Sequence, residues 1–515
     1  MQGRQGLPSF PDIGETLHMT KVTPAALLAV LLALSASVGA NDPAAAATPA
    51  APPAPLDFST LAPFPADKTV NQSIMLEGRK LQYQATVGSL PVLDETGRTI
   101  AEVVFTAYTM PGKDRPVTFA LNGGPGASSV YLNLGTMGPK RVQFGDNGDS
   151  PSAPALLRDN PGTWLDFTDL VFIDPVGTGF SRARIAPEEA GKRFYAVQPD
   201  IEYLSRIIYD WLVKHGRLLS PKYIAGESYG GFRAPRITHY LQTNLGVAMN
   251  GMVLVSPALE LATSLPSELS PMPYVESLVT VAAAHLERQG RLSDAAMEQV
   301  IEYLRGEYVV DFMKGSRDTD AVARMSRRLA ELTGVPEDFI RSKAGRLSSN
   351  DAMREVHRLQ GKVGSVYDIN VTAWDPFPYS SLKRAGDPVL DGIIAPTTTA
   401  MVHFVTQTVG WKVPARYYAL NMEMRWDIEG TGGGAVDQLH RSIAIDPKLK
   451  VLIVHGWGDL ACTYMNSRLI VDNLPVMGDP ARVQLKAYPG GHMFYSRPAS
   501  QDAFRRDVAG MYGMH

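Results

Sequence analysis

The sequence predicts an α/β fold in which a mostly parallel central sheet is flanked by helices and carries an inserted, mainly helical cap domain. Three observations support this prediction. Short apolar segments alternate with helical ones, which is typical of a parallel sheet covered on both faces. Ser228 stands among glycines between one such strand and a helix. Strand patterns fade from residue 259 to residue 446 and then resume, which indicates an insertion.

The first predicted part of the core spans residues 71–258. Residues 81–85 and 100–108 alternate apolar and polar side chains, and Asp94-Glu-Thr-Gly97 predicts the turn between these paired strands. Buried strands are predicted at residues 117–121, 170–173, 222–225 and 252–255, and helices at 201–219 and 232–244.

The predicted cap spans residues 259–446, with helical spacing at 294–304 and 320–332. The sheet pattern resumes at residues 450–454 and 483–487. We therefore predict that residues 447–515 form the second part of the α/β core.

The N-terminus has the order of a secretory signal peptide. Lys21 follows Met19, an apolar run spans residues 24–34, and small side chains end the segment at Val38-Gly-Ala40. We expect residues 1–40 to contain the signal peptide, with translation starting at Met19, and the Ala/Pro-rich residues 41–70 to form a linker. This predicts a periplasmic or secreted protein without stable membrane insertion of the mature form.

Composition excludes some partners and one means of stabilisation. The chain has 49 Lys and Arg against 52 Asp and Glu, a net charge of -3, so electrostatics give no case for nucleic acid as a partner. Cys462 is the only cysteine, so no intrachain disulfide forms and the chain must fold by burying its core. No sequence feature sets an oligomeric state.

The segment Gly226-Glu-Ser-Tyr-Gly-Gly231 has the G-x-S-x-G spacing of a nucleophile elbow. A chance turn can carry this spacing, so the spacing alone is a weak signal. Here a predicted strand precedes the segment and a predicted helix follows it, which is the context that the motif requires. We therefore predict an α/β-hydrolase fold with Ser228 as the nucleophile.

Chain order predicts the partners of Ser228. A serine nucleophile needs a base, and the base needs a group that orients it. In α/β-hydrolases the order along the chain is Ser, acid, His. Asp459 follows the first strand after the cap, and His492 follows the next strand. His455 is the rival base, but it lies at a strand end and precedes the acid. We predict a triad of Ser228, Asp459 and His492.

A second glycine cluster, Asn122-Gly-Gly-Pro-Gly126, follows an early predicted strand. This is the position from which the second oxyanion donor of the fold should come. Backbone N–H groups of Gly124 and Tyr229 would then meet the developing negative charge. Without the elbow, a simple glycine turn would be the better interpretation.

Three of these segments resemble signatures of the serine carboxypeptidase family: Asn122-Gly-Gly-Pro-Gly126, Gly226-Glu-Ser-Tyr-Gly-Gly231 and Gly491-His492-Met493. Residues 160–164 and 174–181 are also similar to family segments. The resemblance runs from about Val117 over most of the chain and is weakest in the cap. It implies an α/β-hydrolase core with a helical cap, release of C-terminal residues from peptides, and no metal or organic cofactor.

The resemblance implies a role for each matched position. The triad is Ser228, Asp459 and His492; the oxyanion donors are Gly124 and Tyr229; the substrate's terminal carboxylate is held by Asn122, Gly123 and Glu227. The tripeptide Asp459-Leu-Ala461 is closer to bacterial members, so a bacterial-type member is expected.

The chain also departs from the family pattern. Many members have Trp at the position of Ala120 and Cys at that of Ala127. Many have a further Glu, which also reaches the substrate carboxylate, at the spacing of Thr136. The absence of this Glu argues against strong exopeptidase activity but does not affect acyl transfer. Cys462 either matches a family Cys near the leaving-group pocket or is a small buried hydrophobe.

Three functions remain under comparison. A serine carboxypeptidase acting on peptides is the leading prediction. An esterase or acyltransferase on the same machinery is the alternative, which the departures at Ala120 and Thr136 favour modestly. A non-catalytic binding protein is the third, and retention of all three triad residues argues against it.

We expect cleavage after Ala40 during export, because Val38 and Ala40 present small side chains to the signal peptidase. N-terminal sequencing of the exported protein should therefore begin at Asn41. A cytoplasmic product that retains the apolar residues 27–34 would contradict this expectation.

Overall fold

The computed structural model describes residues 61–112, 114–143, 152, 155–260, 269–380, 383, 386–427 and 434–514. The predicted signal peptide, residues 1–40, and residues 41–60 of the predicted linker lie outside the described residues. The first strand begins at Lys68, inside the predicted linker.

One large sheet carries the fold. Its strands follow the order β1-β2-β3-β7-β4-β9-β10-β13-β14, with β8 paired to β3. The strands are β1 (Lys68–Leu76), β2 (Arg79–Leu93), β3 (Thr99–Thr109), β4 (Val117–Leu121), β5 (Lys140–Gln143), β6 (Leu156–Asp159), β7 (Asp169–Ile173), β8 (Arg182–Ala183), β9 (Lys222–Glu227), β10 (Gly251–Val255), β11 (Lys362–Gly364), β12 (Thr372–Trp374), β13 (Lys450–Gly456) and β14 (Val483–Tyr488). The pairs β5–β6 and β11–β12 form separate small sheets.

The sheet is antiparallel at one side and parallel through the rest. Strands β1, β2 and β3 pair antiparallel, and β3 also meets β7 antiparallel. From β7 to β14 every pairing is parallel. The central strands β4, β7, β9 and β10 are buried at every position, as expected for strands covered on both faces.

Helices cover both faces of the sheet. They are α1 (Val130–Leu132), α2 (Pro187–Phe194), α3 (Val197–Lys214), α4 (Tyr229–Asn244), α5 (Met272–Arg288), α6 (Asp294–Tyr303), α7 (Val309–Met313), α8 (Thr319–Thr333), α9 (Glu337–Ser342), α10 (Ser349–Glu355), α11 (Pro388–His403), α12 (Val436–Ile445), α13 (Tyr464–Asp472) and α14 (Pro498–Met511). One core cluster contains side chains of α3, α4 and α12, and a second contains side chains of α11 and α14. The predicted fold class is therefore confirmed: a mixed, mostly parallel sheet flanked by helices.

Helices α5 to α12 and the β11–β12 hairpin lie between β10 and β13 in the chain, where the sequence predicted an inserted helical block. Helices α5 to α10 share an apolar cluster that includes Val275, Leu329 and Ile340 and extends to Trp457 and Tyr464 of the α/β core. Helices α11 and α12 pack instead in the two clusters at the sheet. The β11–β12 and β5–β6 hairpins were not predicted, because strands of three or four residues carry too little periodicity.

The predicted linker is wrong at its C-terminal end. Phe64 packs against Trp411 with ring centroids 5.4 Å apart, and its backbone N–H donates to Glu102 at 2.9 Å. Arg182 also lies over the Phe64 ring, 3.9 Å from its centroid. These contacts join residues that are distant in the chain, so local Ala/Pro composition could not reveal them.

The stretch Pro388–Val409, which contains α11, is long and apolar enough to cross a bilayer by length and composition alone. Its 18-residue window has a mean hydropathy of 1.2 and is 39% buried inside the structure. Met401, Phe404 and Val405 belong to the core cluster beneath the sheet. The stretch therefore also meets the description of a core helix of the α/β fold.

The start of α4 packs directly on the end of β4. A Cβ atom added at Gly230 would overlap the backbone carbonyl oxygen of Leu121, and it would lie 3.1 Å from the carbonyl carbon of Asn122. Only glycine permits this approach, because backbone atoms cannot move aside as the end of a flexible side chain can. The position of the elbow relative to β4 therefore depends on Gly230.

We expect Gly230→Ala to destabilise the protein by about 1–3 kcal/mol, since overpacking must shift α4 away from β4. Gly510→Ala is the matched control, because Gly510 also lies in a helix but has nothing within 4 Å of an added Cβ. The control should be neutral or stabilising by up to about 1 kcal/mol. Urea unfolding of both variants measures the difference, and equal midpoints would contradict the expected backbone constraint.

Candidate active site

Ser228 occupies the sharp turn between β9 and α4. Its backbone has φ 60° and ψ -123°, a conformation that non-glycine residues seldom adopt. Its N–H donates to the carbonyl of Val255 at 3.0 Å, and its carbonyl accepts from Gly231 at 2.9 Å and Ala258 at 3.1 Å. Backbone bonds to β10 and α4 thus hold this strained residue in place, between the strand and the helix that the sequence predicted on either side of it.

Asp459 and His492 meet beyond the ends of the neighbouring parallel strands β13 and β14. His492 Nδ1 lies 2.7 Å from Asp459 Oδ2, and Asp459 is fully buried. The other carboxylate oxygen accepts from the backbone N–H groups of Ala461 at 2.8 Å and Cys462 at 3.0 Å. Both oxygens of Asp459 are therefore engaged, and the Nδ1 side of His492 is oriented by a fixed carboxylate.

The serine hydroxyl is not hydrogen-bonded to this pair. Ser228 Oγ contacts Cys462 Sγ at 4.0 Å, and among the described residues no hydrogen bond joins Ser228 to His492. Catalytic hydrogen bonds are often longer without substrate and shorten when it binds. The structure thus brings Asp459 and His492 into direct contact and places the Ser228 hydroxyl beside Cys462, in the loop of the acid.

The charge environment favours the protonated form of His492. Burial opposes a charge on the ring, but the adjacent Asp459 carboxylate and its hydrogen bond outweigh burial and raise the pKa of His492, with a smaller contribution from Glu227. A base in this setting holds a proton taken from serine more firmly than free imidazole does. The same shift means that the His492 ring becomes protonated, and can no longer accept a proton, at a higher pH than free imidazole.

His455, the rival base, has both ring nitrogens engaged elsewhere. Nδ1 lies 3.1 Å from the carbonyl oxygen of Cys462, and Nε2 lies 2.8 Å from Ser467 Oγ. Burial lowers the pKa of His455 to about 4, so the ring is neutral at ordinary pH. These contacts fit a histidine that supports the loop of Asp459.

The two predicted oxyanion donors have free N–H groups. Neither Gly124 nor Tyr229 donates a backbone hydrogen bond within the part of the chain that the structure describes. Gly124 has φ +98°, in the region that favours glycine, and Tyr229 is the first residue of α4. Unpaired N–H groups at a helix start and an adjacent turn form a site for negative charge.

The residues predicted to hold a carboxylate lie around the elbow. Asn122 is buried, and its side-chain oxygen accepts from the N–H of Leu132 at 2.9 Å, while the carbonyl of Gly123 accepts from Ala127 at 3.1 Å. Glu227 is 3% exposed. Burial raises the pKa of Glu227 to about 7, against lowering by His492 and by hydrogen bonds from Tyr495 and Asn122. Glu227 can therefore exist as a neutral acid near neutral pH.

A buried ion pair joins the elbow helix to the Asn122 loop. Arg233 of α4 donates to both oxygens of Asp200 on α3, at 2.7 and 3.2 Å. The third guanidinium nitrogen of Arg233 donates to the Asn122 carbonyl at 2.9 Å. Sequence reasoning missed this pair, because charged residues on amphipathic helices are usually solvated and no local signal marks these two.

Two tyrosines near the triad were also missed. Tyr495 donates its hydroxyl to Glu227 Oε2 at 2.6 Å, and its position three residues after His492 was the one available signal. Tyr367, from the segment between β11 and β12, has its ring 5.2 Å from that of His492, and its carbonyl accepts the His492 N–H at 2.5 Å. No sequence signal connected Tyr367 to the site.

The positions that depart from the family pattern are buried. Ala120 lies in β4, Ala127 follows the glycine turn, and Thr136 lies in the π-helical turn Asn133–Met137. The Thr136 hydroxyl is buried and makes no hydrogen bond among the described residues. Cys462 is also buried, and burial raises the pKa of its thiol well above the usual value. The thiol is therefore neutral beside Ser228.

Comparisons with known proteins find similarity to the serine carboxypeptidases. Residues 85–326 match the sequence profile of the serine carboxypeptidases. Serine carboxypeptidase 1 of Hordeum vulgare is 34% identical over 155 residues, covering 30% of this chain and 29% of the relative. Serine carboxypeptidase-like 9 of Arabidopsis thaliana is 29% identical over 188 residues, covering 34% and 40%.

A fungal relative and a yeast structure complete the comparison. The pheromone-processing carboxypeptidase kex1 of Sclerotinia sclerotiorum is 36% identical over 139 residues, covering 24% of this chain and 18% of the relative. The crystal structure of the prohormone-processing carboxypeptidase Kex1 from Saccharomyces cerevisiae has a TM-score of 0.49 at 17% identity, covering 84% and 91%. The chain spans less than half the length of each curated relative named here. These relatives are plant and fungal, so the expected bacterial type is not confirmed.

We expect Asp459→Asn to slow acylation of Ser228 by about 10⁴-fold, because an amide favours the wrong tautomer of His492. The rate of labelling by a fluorophosphonate measures this without knowledge of the substrate. Asp479→Asn is the control, since Asp479 is an exposed capping residue and Asn also caps. Labelling of folded Asp459→Asn at the wild-type rate would contradict the assigned role.

Proposed function

We propose that this member of the serine carboxypeptidase family removes C-terminal residues from peptides by acyl transfer to Ser228. The observation that carries the proposal is the contact of His492 Nδ1 with Asp459 Oδ2 at 2.7 Å, next to a serine in a strained strand–helix turn. The family match over residues 85–326 includes that turn. It ends before Asp459 and His492, so their assignment rests on the contact geometry.

The chemistry follows from the positions of these groups. Ser228 Oγ attacks the scissile carbonyl while His492 Nε2 takes the hydroxyl proton, and Asp459 stabilises the imidazolium. The N–H groups of Gly124 and Tyr229 meet the negative charge on the carbonyl oxygen. His492 then gives its proton to the leaving amine, and the acyl-enzyme forms.

Water then hydrolyses the acyl-enzyme, with Ser228 now as the leaving group. It attacks the acyl carbon as His492 takes one of its protons, and Ser228 leaves with the proton that His492 returns. The residues that act are side chains and backbone amides of this chain, with water as the second substrate. We therefore expect no cofactor requirement.

Recognition of a free C-terminus is the more specific part of the proposal. A terminal carboxylate bound beside Ser228 would meet the side chain of Asn122, the backbone at Gly123 and the carboxyl of Glu227. An ionised Glu227 would repel it, whereas a neutral Glu227 donates a hydrogen bond to it. Burial already raises the pKa of Glu227 to about 7, which supports the neutral form in acid.

An esterase or acyltransferase on the same triad is the second candidate. Thr136 favours it, because its buried hydroxyl makes no hydrogen bond within the part of the chain that the structure describes and it supplies no carboxyl for a terminal carboxylate. Such an enzyme would handle peptide acids and their amides alike. A matched pair of these substrates therefore distinguishes the two candidates.

We also propose the domain and location assignments made from sequence. The α/β core is formed by residues 447–515 and by residues up to 258 from Lys68, three residues earlier than the predicted start at 71, and residues 259–446 form a cap that contributes Tyr367 to the site. The signal-like residues 19–40 support export to the periplasm or the medium. A peptide is the proposed partner, and neither nucleic acid nor stable membrane insertion of the mature form is expected.

We expect the protein to shorten a mixed pool of peptides from their C-termini, and Ser228→Ala to lose this activity by about 10⁴-fold or more. Mass spectrometry of the pool identifies the residues released. Ser326→Ala, which removes a buried hydroxyl in α8 that donates to the Val322 carbonyl at 2.7 Å, is the control and should keep most of the activity. Near-normal turnover by folded Ser228→Ala would rule out the mechanism, and internal cleavage of the peptides would rule out the carboxypeptidase assignment.

A further inference from the structure

The Glu227 carboxyl has one strong hydrogen-bond partner that the mechanism above does not use. Tyr495 Oη lies 2.6 Å from Glu227 Oε2. Glu227 is 3% exposed and Tyr495 is 2% exposed, so water does not compete for this bond. A hydrogen bond of this length in a water-excluded site constrains the carboxyl strongly.

Tyr495 is held in place by its surroundings. A Cβ atom at Gly135 would lie 2.9 Å from Tyr495 Cε2, so the ring fills the space that this glycine leaves open. The ring also meets Phe494 edge-on with centroids 5.7 Å apart. Because Tyr495 lies in the loop that carries His492, one loop supplies both the base and the partner of Glu227.

The groups around Glu227 determine when it is neutral. Those that face it are Asn122 from the end of β4, Tyr131 from α1, Tyr367 from the β11–β12 segment, Asp459 and Cys462 after β13, and His492 and Tyr495 after β14. Burial and the nearby Glu227 raise the pKa of Tyr495 well above its usual value. The Tyr495 hydroxyl therefore keeps its proton and remains a donor throughout the working pH range.

We propose that Tyr495 is a positioning residue that directs the acidic proton of neutral Glu227 to Oε1, from which it is donated to the substrate's terminal carboxylate. This inference rests on the proposed carboxypeptidase function. The hydroxyl hydrogen of Tyr495 occupies Oε2, so a proton that binds Glu227 is placed on the other oxygen. No proton is transferred to or from Tyr495, and the carboxyl enters and leaves each cycle in the same form.

The hydrogen bond from Tyr495 determines the direction in which the pKa of Glu227 moves when the tyrosine hydroxyl is removed. Tyr495 donates to Glu227 and so favours the ionised carboxylate, which lowers its pKa against the effect of burial. Tyr495→Phe removes that donor and keeps the ring, so the pKa of Glu227 should rise. The neutral form that a free-acid peptide needs then persists to higher pH.

We expect the alkaline limb of kcat/KM for a free-acid peptide to move upward by about one pH unit in Tyr495→Phe. The amide of the same peptide carries no terminal carboxylate, and its profile should not move in this way. Measuring kcat/KM against pH for both peptides, with wild type and variant in parallel, gives the result. Tyr495→Leu removes the same hydroxyl with a smaller side chain and provides the test if the phenylalanine variant does not fold.

Two controls separate this effect from a general loss of packing. Tyr488 also donates to a carboxylate at 2.6 Å, namely Asp507 Oδ2, and its ring stacks on Phe494. Tyr488→Phe therefore removes a similar bond outside the site and should leave the alkaline limb unchanged. In a Glu227→Gln background, which has no carboxyl to titrate at this position, Tyr495→Phe should leave the alkaline limb of kcat/KM unchanged.

The outcomes distinguish the inference from the function on which it rests. If wild type prefers free-acid peptides but the alkaline limbs of wild type and Tyr495→Phe coincide, the role of Tyr495 is overturned and the proposed function stands. If the alkaline limb moves by the same amount in Tyr488→Phe, the role of Tyr495 is also overturned. If wild type treats the acid and amide alike at every pH, the carboxypeptidase proposal fails, and the inference fails with it.

Discussion

The close approach of backbone between β4 and the start of α4 is the constraint on which the site depends. Gly230 leaves no room for a side chain against the Leu121 carbonyl, so the elbow sits directly beside the turn that follows β4. An added Cβ atom at Gly123 would overlap the backbone nitrogen of Tyr229, so the turn after β4 also meets the start of α4 here, next to Ser228 with its φ of 60°. The surrounding sheet is buried at every position of the central strands, which makes that strain tolerable.

Burial determines how strongly the titratable groups of the site affect one another. Asp459, Glu227 and His492 lie within one water-excluded region, where charges interact strongly and unpaired ones are costly. Asp459 accepts from two backbone N–H groups and contacts His492, and its carboxylate raises the pKa of the imidazole. Glu227 has fewer donors and is pushed toward the neutral form. Two carboxyl groups in one site therefore differ in role because their hydrogen-bond partners differ.

Separate parts of the chain hold these groups. Arg233 of α4 binds both Asp200 and the Asn122 carbonyl, which fixes the elbow helix against the β4 turn. From the inserted segment, Thr280 Oγ1 donates to the Asp459 carbonyl at 3.1 Å, and the Tyr367 carbonyl accepts from His492. The inserted segment thus contacts the loops of both Asp459 and His492.

The sequence by itself determined the sheet strands that precede each catalytic loop, the inserted helical block and the order Ser228, Asp459, His492, because periodicity and motif spacing are local properties of the chain. It placed no bond between Tyr495 and Glu227, 268 residues apart, and it assigned residues 61–67 to a linker that the Phe64–Trp411 contact excludes. Only the tertiary structure decided these points, since the protonation of a buried carboxyl depends on neighbours brought together by folding.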